Sequence, residues 1–240
     1  MSKKPFIFKQ FAVSQDRSAM KIGTDGVLLG AWVSVENNPF AILDIGAGTG
    51  IIGLMVAQRC HAEIIDAVEI DDDAYEQCVD NFERSPWGDR LFCYHASLDE
   101  FVDEVDDRYE LIISNPPFYS EDYKTDNKQR DIARFQDALP FNHLTESASK
   151  LLTEDGKFAV IIPFKEETNF IELASKVKLF PNKILRVKGN PDSEIKRSLL
   201  EFSFQETSRK INIDELIIET DRHQYTQDYI NLTKDFYLKM

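Results

Sequence analysis

The stretch "AILDIGAGTG" at positions 41–50 decides the fold. A short apolar run, interrupted only by Asp44, ends in Gly46, Gly48 and Gly50, and a helical pattern, "TGIIGLMVAQRC" at 49–60, follows at once. Glycines at such a point let the backbone turn tightly and let a ligand approach where a Cβ would block it. A strand running through a glycine loop into a helix opens a βα unit. The GxGxG spacing differs from the GxGxxG that cradles a pyrophosphate, and an acid precedes the first glycine. Both details weigh against a dinucleotide oxidoreductase. Asp44 stands near the strand's end, where it is either satisfied by local backbone N–H groups or helps organise a cationic amino group.

Outward from this loop the alternation continues. "EIIDAVEI" (63–70) reads as the next strand and "DDAYEQCVDNFERS" (72–85) as a helix with acids in its first turn. "LFCYHASL" (91–98) and "YELIISN" (109–115) read as two further strands. A polar loop at roughly 119–138 precedes a helix near 140–152, a strand "GKFAVIIP" (156–163) and a helix "KEETNFIELASKVK" (165–178). "NKILRVKG" (182–189) and "RSLLEFSFQ" (197–205) flank the turn "NPDSE" and read as an antiparallel hairpin. "INIDELIIE" supplies a late strand and "QYTQDYINLTKDFY" a closing amphipathic helix. Repeated βα units make a parallel sheet with helices on both faces. The expected fold is therefore α/β: a Rossmann-like, doubly wound, seven-stranded sheet, mostly parallel, with an antiparallel C-terminal hairpin.

With 240 residues, 42% of them hydrophobic, the chain fits one domain with a sizeable core. We expect a single unit over 1–240, with 1–40 as an N-terminal segment and 41–240 as the Rossmann-like core. "MSKKPFIFKQ" lacks an apolar leader region, and no run approaches 18 apolar residues, which predicts neither signal peptide nor membrane span. Cys60, Cys78 and Cys93 are scattered without CxxC spacing. They suit reduced thiols of a cytoplasmic protein and imply no metal site.

The net charge of −14 argues against a nucleic-acid partner only until its distribution is considered. Positions 60–110 carry 17 acidic residues against Arg84, Arg90 and Arg108, so the rest of the chain balances. Within that remainder, Lys3, Lys4, Lys9, Arg17 and Lys21 face only Asp16, and Lys183, Arg186, Lys188, Lys196 and Arg197 face Asp192 and Glu194. One flank is acidic and two separated segments are basic, which permits a phosphate-bearing partner; a charge run is also commonly just a solvated face.

Two further stretches carry chemistry. In "LIISNPPFYS" (111–120) an apolar run is stopped by Asn115, Pro116, Pro117 and Phe118. Neither proline can donate to a ladder, and the first biases Asn115 toward an extended conformation. The stretch is either a rigid turn, or a polar group and an aromatic face fixed at the carboxyl end of a strand, where open α/β sheets bind ligands. Glu69 ends the second strand in "AVEID", 25 residues after Asp44. An acid there can accept both hydroxyls of a ribose, or serve the N-terminus of the next helix, a role Asp71, Asp72 and Asp73 already fill.

Taken together in this order, "LDIGAGTG", "VEID" and "SNPPF" resemble the class I S-adenosylmethionine-dependent methyltransferases, and the Asn-Pro-Pro-aromatic signature resembles the branch that methylates planar amino or amide nitrogens. The resemblance implies S-adenosylmethionine as cofactor, held at Asp44, Gly46, Gly48, Gly50 and Glu69. The family's third motif falls at Ala96, Ser97 and Leu98, where Ser97 stands in place of the usual acid beside the adenine; Asp99 is the alternative. In similar enzymes the segment before the first core strand closes over the methionine part of the cofactor. In "KIGTDGVLLGAW" (21–32), Thr24 or Asp25 either caps a short helix or, for Asp25, meets the cofactor's amino group.

Within that class the run "FKQFAVSQDRSAMKIGTDGVLLGAWV", joined to "LDIGAGTGIIGLM" and "SNPPFY", closely resembles the bacterial tRNA(Val) adenine-37 N6-methyltransferases from about Phe8 to Phe204. This implies methylation of an adenine beside the anticodon of a tRNA. The lone pair of that exocyclic amine is delocalised into the ring. The Asn115 side-chain oxygen and the Pro116 carbonyl would accept its N–H groups, Pro117 would stiffen the loop, and Phe118 would stack the base. Arg186, Lys188, Lys196 and Arg197 on the hairpin would be the phosphate contacts, unless the hairpin is a sheet edge that uses charge against aggregation. The 119–138 loop would be a substrate-ordered lid. Asn-Pro-Pro-aromatic sites also occur in enzymes similar to rRNA guanine-N2 and protein glutamine methyltransferases, and a catalytically silent cofactor-binding module is a further alternative.

Overall fold

The computed structural model describes residues 4–117, 139–206 and 211–239. The apolar run before the glycine loop forms β3 (Ala41–Ile45), buried from Ile42 to Ile45. It stands at the centre of an eight-stranded sheet with β4 (Ile64–Glu69), β5 (Leu91–His95), β6 (Tyr109–Ser114), β7 (Leu152–Pro163), β8 (Phe180–Lys188), β9 (Ile195–Ser203) and β10 (Asn212–Ile217). The order across the sheet is β10-β8-β9-β7-β6-β3-β4-β5. The five strands from β7 to β5 run parallel, and β9 runs antiparallel to both β7 and β8.

The expected seven strands are therefore eight. The extra member is "INIDELIIE", which pairs parallel to β8 from Asn212 to Ile217 and covers what would be the open edge of the hairpin. Before the sheet, β1 (Phe6–Ile7) and β2 (Ala12–Val13) form a two-residue ladder, and after it β11 (Glu219–Asp221) and β12 (Gln224–Tyr225) form another.

Side-chain alternation along each central strand feeds two cores, because the parallel strands are buried on both faces. Ile42 joins one apolar cluster with α1 (Thr24–Trp32), α2 (Ile51–Arg59) and α3 (Asp72–Glu83). Leu43 and Ile45 join the other with α4 (Leu98–Glu104), α5 (Phe141–Leu151) and α6 (Glu167–Lys176). The closing helix α7 (Gln227–Thr233) adds Tyr229 to the first cluster. Each fully buried Leu or Phe contributes about 1.5–3 kcal/mol. No helix among the described residues is long and apolar enough to cross a membrane, and no group of three His, Cys, Asp or Glu side chains is placed to hold a metal.

Two local expectations differ from the structure. Positions 96–98 do not continue β5: Ser97 caps α4, a helix with a full capping box whose first turn holds Asp99 and Glu100. Neither Thr24 nor Asp25 caps α1; Gly23 occupies the N-cap and no side chain bonds there.

Candidate active site

Parallel strands end together, so β3, β4, β6 and β7 deliver their last residues to one rim of the sheet. At β3 the chain turns through Gly46, Gly48 and Gly50, with φ of 72°, 58° and 75°. Those values are the left-handed region that other residues enter at a cost, which explains the residue type. The space around them differs. A Cβ on Gly46 or Gly48 would meet nothing within 4 Å, whereas one on Gly50 would lie 2.6 Å from Phe82 Cε1 and 2.9 Å from Cys78 Sγ. The first two glycines thus border open space above the strand, and the third lets α2 seat against α3.

Asp44 lies beneath this loop on the α2 side of β3. Its side chain is fully buried; Oδ2 accepts the Gly53 N–H at 3.2 Å, and Oδ1 has no partner among the described residues. Burial pushes its pKa up to about 7, the Gly53 N–H opposes that shift, and the nearby Glu69 carboxylate adds to it. A buried carboxylate with an oxygen that accepts no hydrogen bond attracts a cation or retains a proton.

Glu69, the last residue of β4, is also buried. Its Oε2 accepts the Gly48 N–H at 2.7 Å, and Oε1 accepts those of Ile70 and Asp71, each at 2.9 Å. The carboxylate therefore pins the middle of the glycine loop to the next βα turn, a tie that residue spacing did not disclose. Beside it, Ser97 is engaged in the α4 cap: its hydroxyl accepts from Glu100 N at 3.2 Å and donates to Glu100 Oε2 at 2.8 Å. Leu98 is buried in the second core, and Asp99 meets His143 Nε2 at 2.6 Å.

The Asn-Pro-Pro stretch leaves β6, the strand beside β3. Ser114 is opposite Ile45 in register and donates its hydroxyl to the Ile45 carbonyl at 2.9 Å. This buried bond fixes the end of β6 against the start of the glycine loop. Asn115 and Pro117 are half-buried, and Pro116 is buried. Phe118 and the 119–138 loop lie outside the described residues. Helix α1 closes the site from the side: a Cβ on Gly26 would lie 3.9 Å from Asn115 Nδ2 and 3.3 Å from Ile51 Cγ2. The preceding residue, Asp25, accepts Arg197 Nε at 2.7 Å, so its carboxylate already holds a cation.

The basic hairpin ends on the same rim. Arg186 is clamped by Glu167, with Nε to Oε2 at 3.2 Å and Nη2 to Oε1 at 2.6 Å. Lys188 pairs with Glu215 at 3.2 Å, and Lys196 is exposed. Three of the four expected phosphate contacts therefore have acidic partners, and the local field is weaker than the sequence count implied.

Two side chains escaped sequence reasoning. Asn81, buried on α3, accepts Ser14 N–H at 2.8 Å and donates to the Ser14 and Thr49 carbonyls, each at 2.9 Å. Gln77, one turn earlier, accepts the Asp16 and Arg17 N–H groups at 3.1 Å. Arg17 adds ion pairs to Glu76 and Asp80. The N-terminal arm is thereby clasped to α3 and, through Asn81, to the glycine loop. The available signal was a pair of amides four residues apart on the helix face that also presents Cys78 and Phe82.

Comparisons with known proteins bear on the family and the fold. A family model described as the methyltransferase small domain matches residues 31–178. A protein of Flavobacterium johnsoniae is 68% identical over 98% of this chain and all of its own length. One of Christiangramia forsetii is 61% identical with both chains fully covered, and one of Trichodesmium erythraeum is 46% identical, also with both fully covered. All three bear the name tRNA1(Val) (adenine(37)-N6)-methyltransferase. Among solved structures, a predicted O-methyltransferase from Agrobacterium tumefaciens superposes with a TM-score of 0.70 at 19% identity, covering 88% of this chain and 96% of its own. The ribosomal protein L11 methylase of Lactobacillus delbrueckii does so at 0.55 and 16%, covering 75% and 77%. These two likenesses establish the methyltransferase fold. With the sequence relatives spanning the whole chain, the protein belongs to the tRNA1(Val) (adenine(37)-N6)-methyltransferase family, built on the methyltransferase small domain.

Proposed function

We propose that this protein transfers a methyl group from S-adenosylmethionine to the N6 amine of adenine 37 in tRNA1(Val). The observation that carries the reading is the Ser114–Ile45 tie, which brings Asn115 and the open glycine loop to adjacent strand ends. The residues present fit the cofactor. Gly46 and Gly48 border open space, and the unpartnered Asp44 oxygen suits an ammonium group, directly or through water. Glu69 would accept a ribose hydroxyl with the lone pair that its three backbone bonds leave over. Asp25 is a weaker partner for the amino group because Arg197 already neutralises it. Ser97 is committed to its cap, which leaves Leu98 to line the adenine end.

Bound S-adenosylmethionine supplies an electrophilic methyl on a sulfonium. This chain's residues have to present a poor nucleophile to it. The adenine amine conjugates with its ring, so two acceptors aimed at its N–H groups, the Asn115 Oδ1 and the Pro116 carbonyl, orient it and help localise its lone pair. Pro117 limits the loop's freedom and Phe118 stacks the base. Positioning of this kind is worth about 7–11 kcal/mol of barrier at best. The amine becomes acidic once alkylated, so its proton leaves to solvent without a strong base. Lys188, Lys196 and Arg197 would meet tRNA phosphates, with exposed Lys196 the freest to do so, and Arg186, clamped by Glu167, would meet the RNA beside them. Such chemistry fits a cytoplasmic enzyme.

Incubating the purified protein with unmodified total tRNA and S-adenosylmethionine, followed by nucleoside mass analysis, tests the reading. N6-methyladenosine should appear in tRNA1(Val) and vanish when adenine 37 is replaced by guanine. No methylated adenosine in the tRNA, with methylguanosine formed in a parallel incubation with ribosomal RNA or methylglutamine in one with protein, would replace it with one of the alternatives.

A further inference from the structure

The Arg186–Glu167 pair is more elaborate than a surface ion pair. Glu167 is buried, its carboxylate takes both an Nε–H and an Nη–H of Arg186, and it also accepts the hydroxyl of Ser198, which is wholly buried. Ser198 is the register partner of Arg186 across β8 and β9. Burying a carboxylate costs several kcal/mol unless its partners are well placed. Here the expense fixes one guanidinium, and that guanidinium lies over the ring of Phe164, 5.3 Å from its centroid.

Phe164 follows Pro163, the last residue of β7, and is half-buried. Strand β7 is the parallel neighbour of β6 with Val160 opposite Ser114, so Phe164 follows the end of β7 a few residues beyond the level of Asn115, and the two stand at adjacent strand ends of the same rim. Lys165 and Lys196 flank it, both exposed and without an ion pair among the described residues. An oriented guanidinium on an aromatic ring, bordered by free ammonium groups, has the chemistry that single-stranded RNA uses: bases stack on aromatic and guanidinium planes while phosphates meet cations.

We propose that Phe164 and Arg186 form a stacking site for the nucleobase next to the methylated adenine, with Lys165 and Lys196 on the adjoining phosphates. The site rests on the tRNA reading above and deepens it: the target base goes to Asn115, and its neighbour is held one strand away. Glu167 and Ser198 are positioning residues that hold the guanidinium over the Phe164 ring.

The test uses an anticodon stem-loop RNA carrying 2-aminopurine on one side or the other of the target adenine, bound to the full chain with S-adenosylhomocysteine present. Wild type should change the fluorescence at one flanking position. Phe164→Leu, which keeps apolar bulk, should abolish that change and raise the KM for tRNA by about 5- to 150-fold, the range for one lost base–aromatic stack. Its cofactor affinity and Tm should stay at wild-type values. Arg186→Lys, which keeps the charge and the Glu167 partner, should give an intermediate loss. Unchanged KM and fluorescence in Phe164→Leu would overturn the site, as would a raised KM with the fluorescence change intact. If wild type methylates no tRNA, the underlying reading falls and this site with it. If wild type methylates normally and Phe164→Leu matches it, only this site falls.

Discussion

Asp44 offers a prediction whose size follows from its surroundings. Its carboxyl is fully buried, has one N–H partner and titrates at about 7 in place of 3.8. A group with a raised folded-state pKa contributes most to stability below its unfolded value, and that contribution is lost as pH rises through the folded one. For Asp44 the window runs from about 4 to about 7. Integrating the linkage between pH 5 and pH 8 gives about 2–3 kcal/mol of stability lost over those three units. Asp44→Asn removes the titration and keeps an acceptor for Gly53 N–H. The difference in unfolding free energy between variant and wild type should therefore move by about 2–3 kcal/mol in the variant's favour from pH 5 to pH 8. Urea titrations across that range measure it directly. The same group should link cofactor binding to pH. A cationic ligand favours ionised Asp44, so at pH 6 binding releases close to one proton, seen by calorimetry in buffers of different ionisation enthalpy. Affinity rises with pH, by at most tenfold per unit, and levels off above 7. A wild type and an Asp44→Asn variant with parallel stability profiles and equal proton release would refute the argument.

Other outcomes follow from the same geometry. Glu69→Ala removes the proposed ribose acceptor and also frees three backbone N–H groups, so cofactor binding should weaken by about 1.5–3 kcal/mol and the Tm should fall by about 3–10 °C. Titration calorimetry showing unchanged affinity would remove the ribose assignment. Asn81→Leu strips partners from Ser14 and Thr49 and should cost about 2–4 kcal/mol while exposing the N-terminal arm to limited proteolysis. Lys196→Ala combined with Arg197→Ala should raise the KM for tRNA and flatten its salt dependence, by about 0.7–0.9 in logarithmic slope per lost phosphate contact; an unchanged slope would place the RNA elsewhere.

The parts of the fold that were legible are those whose cause is local. The positive φ at Gly46, Gly48 and Gly50 forced glycine, and the two prolines after Asn115 forced the end of β6, so both loops could be read from residue type. Ser97 was noticed but assigned to the cofactor; Ser97 and Glu100 also spell a capping box, and that local bond prevails in the structure. Long-range pairing was illegible. Nothing in "INIDELIIE" specifies that it lines up parallel with β8, because strand register is settled by the edge available to it. The ion pair of Asp25 with Arg197 joins residues 172 positions apart and changes the reading of both. Counting charges along the hairpin overlooked Glu167 and Glu215, which reach the same basic residues from other elements.

The central claim is that Asn115 orients an adenine amine at the end of β6. Its most direct measurement is the single-turnover rate of N6-methyladenosine formation in tRNA by Asn115→Ala, with S-adenosylmethionine affinity and Tm read on the same preparation. The expected rate is about 10²–10³-fold below wild type, the scale for removing one preorganised polar group from a reacting centre, with cofactor affinity unchanged. A lower Tm accompanied by a near-normal rate per folded molecule would contradict it and leave Asn115 as the cap of a rigid turn.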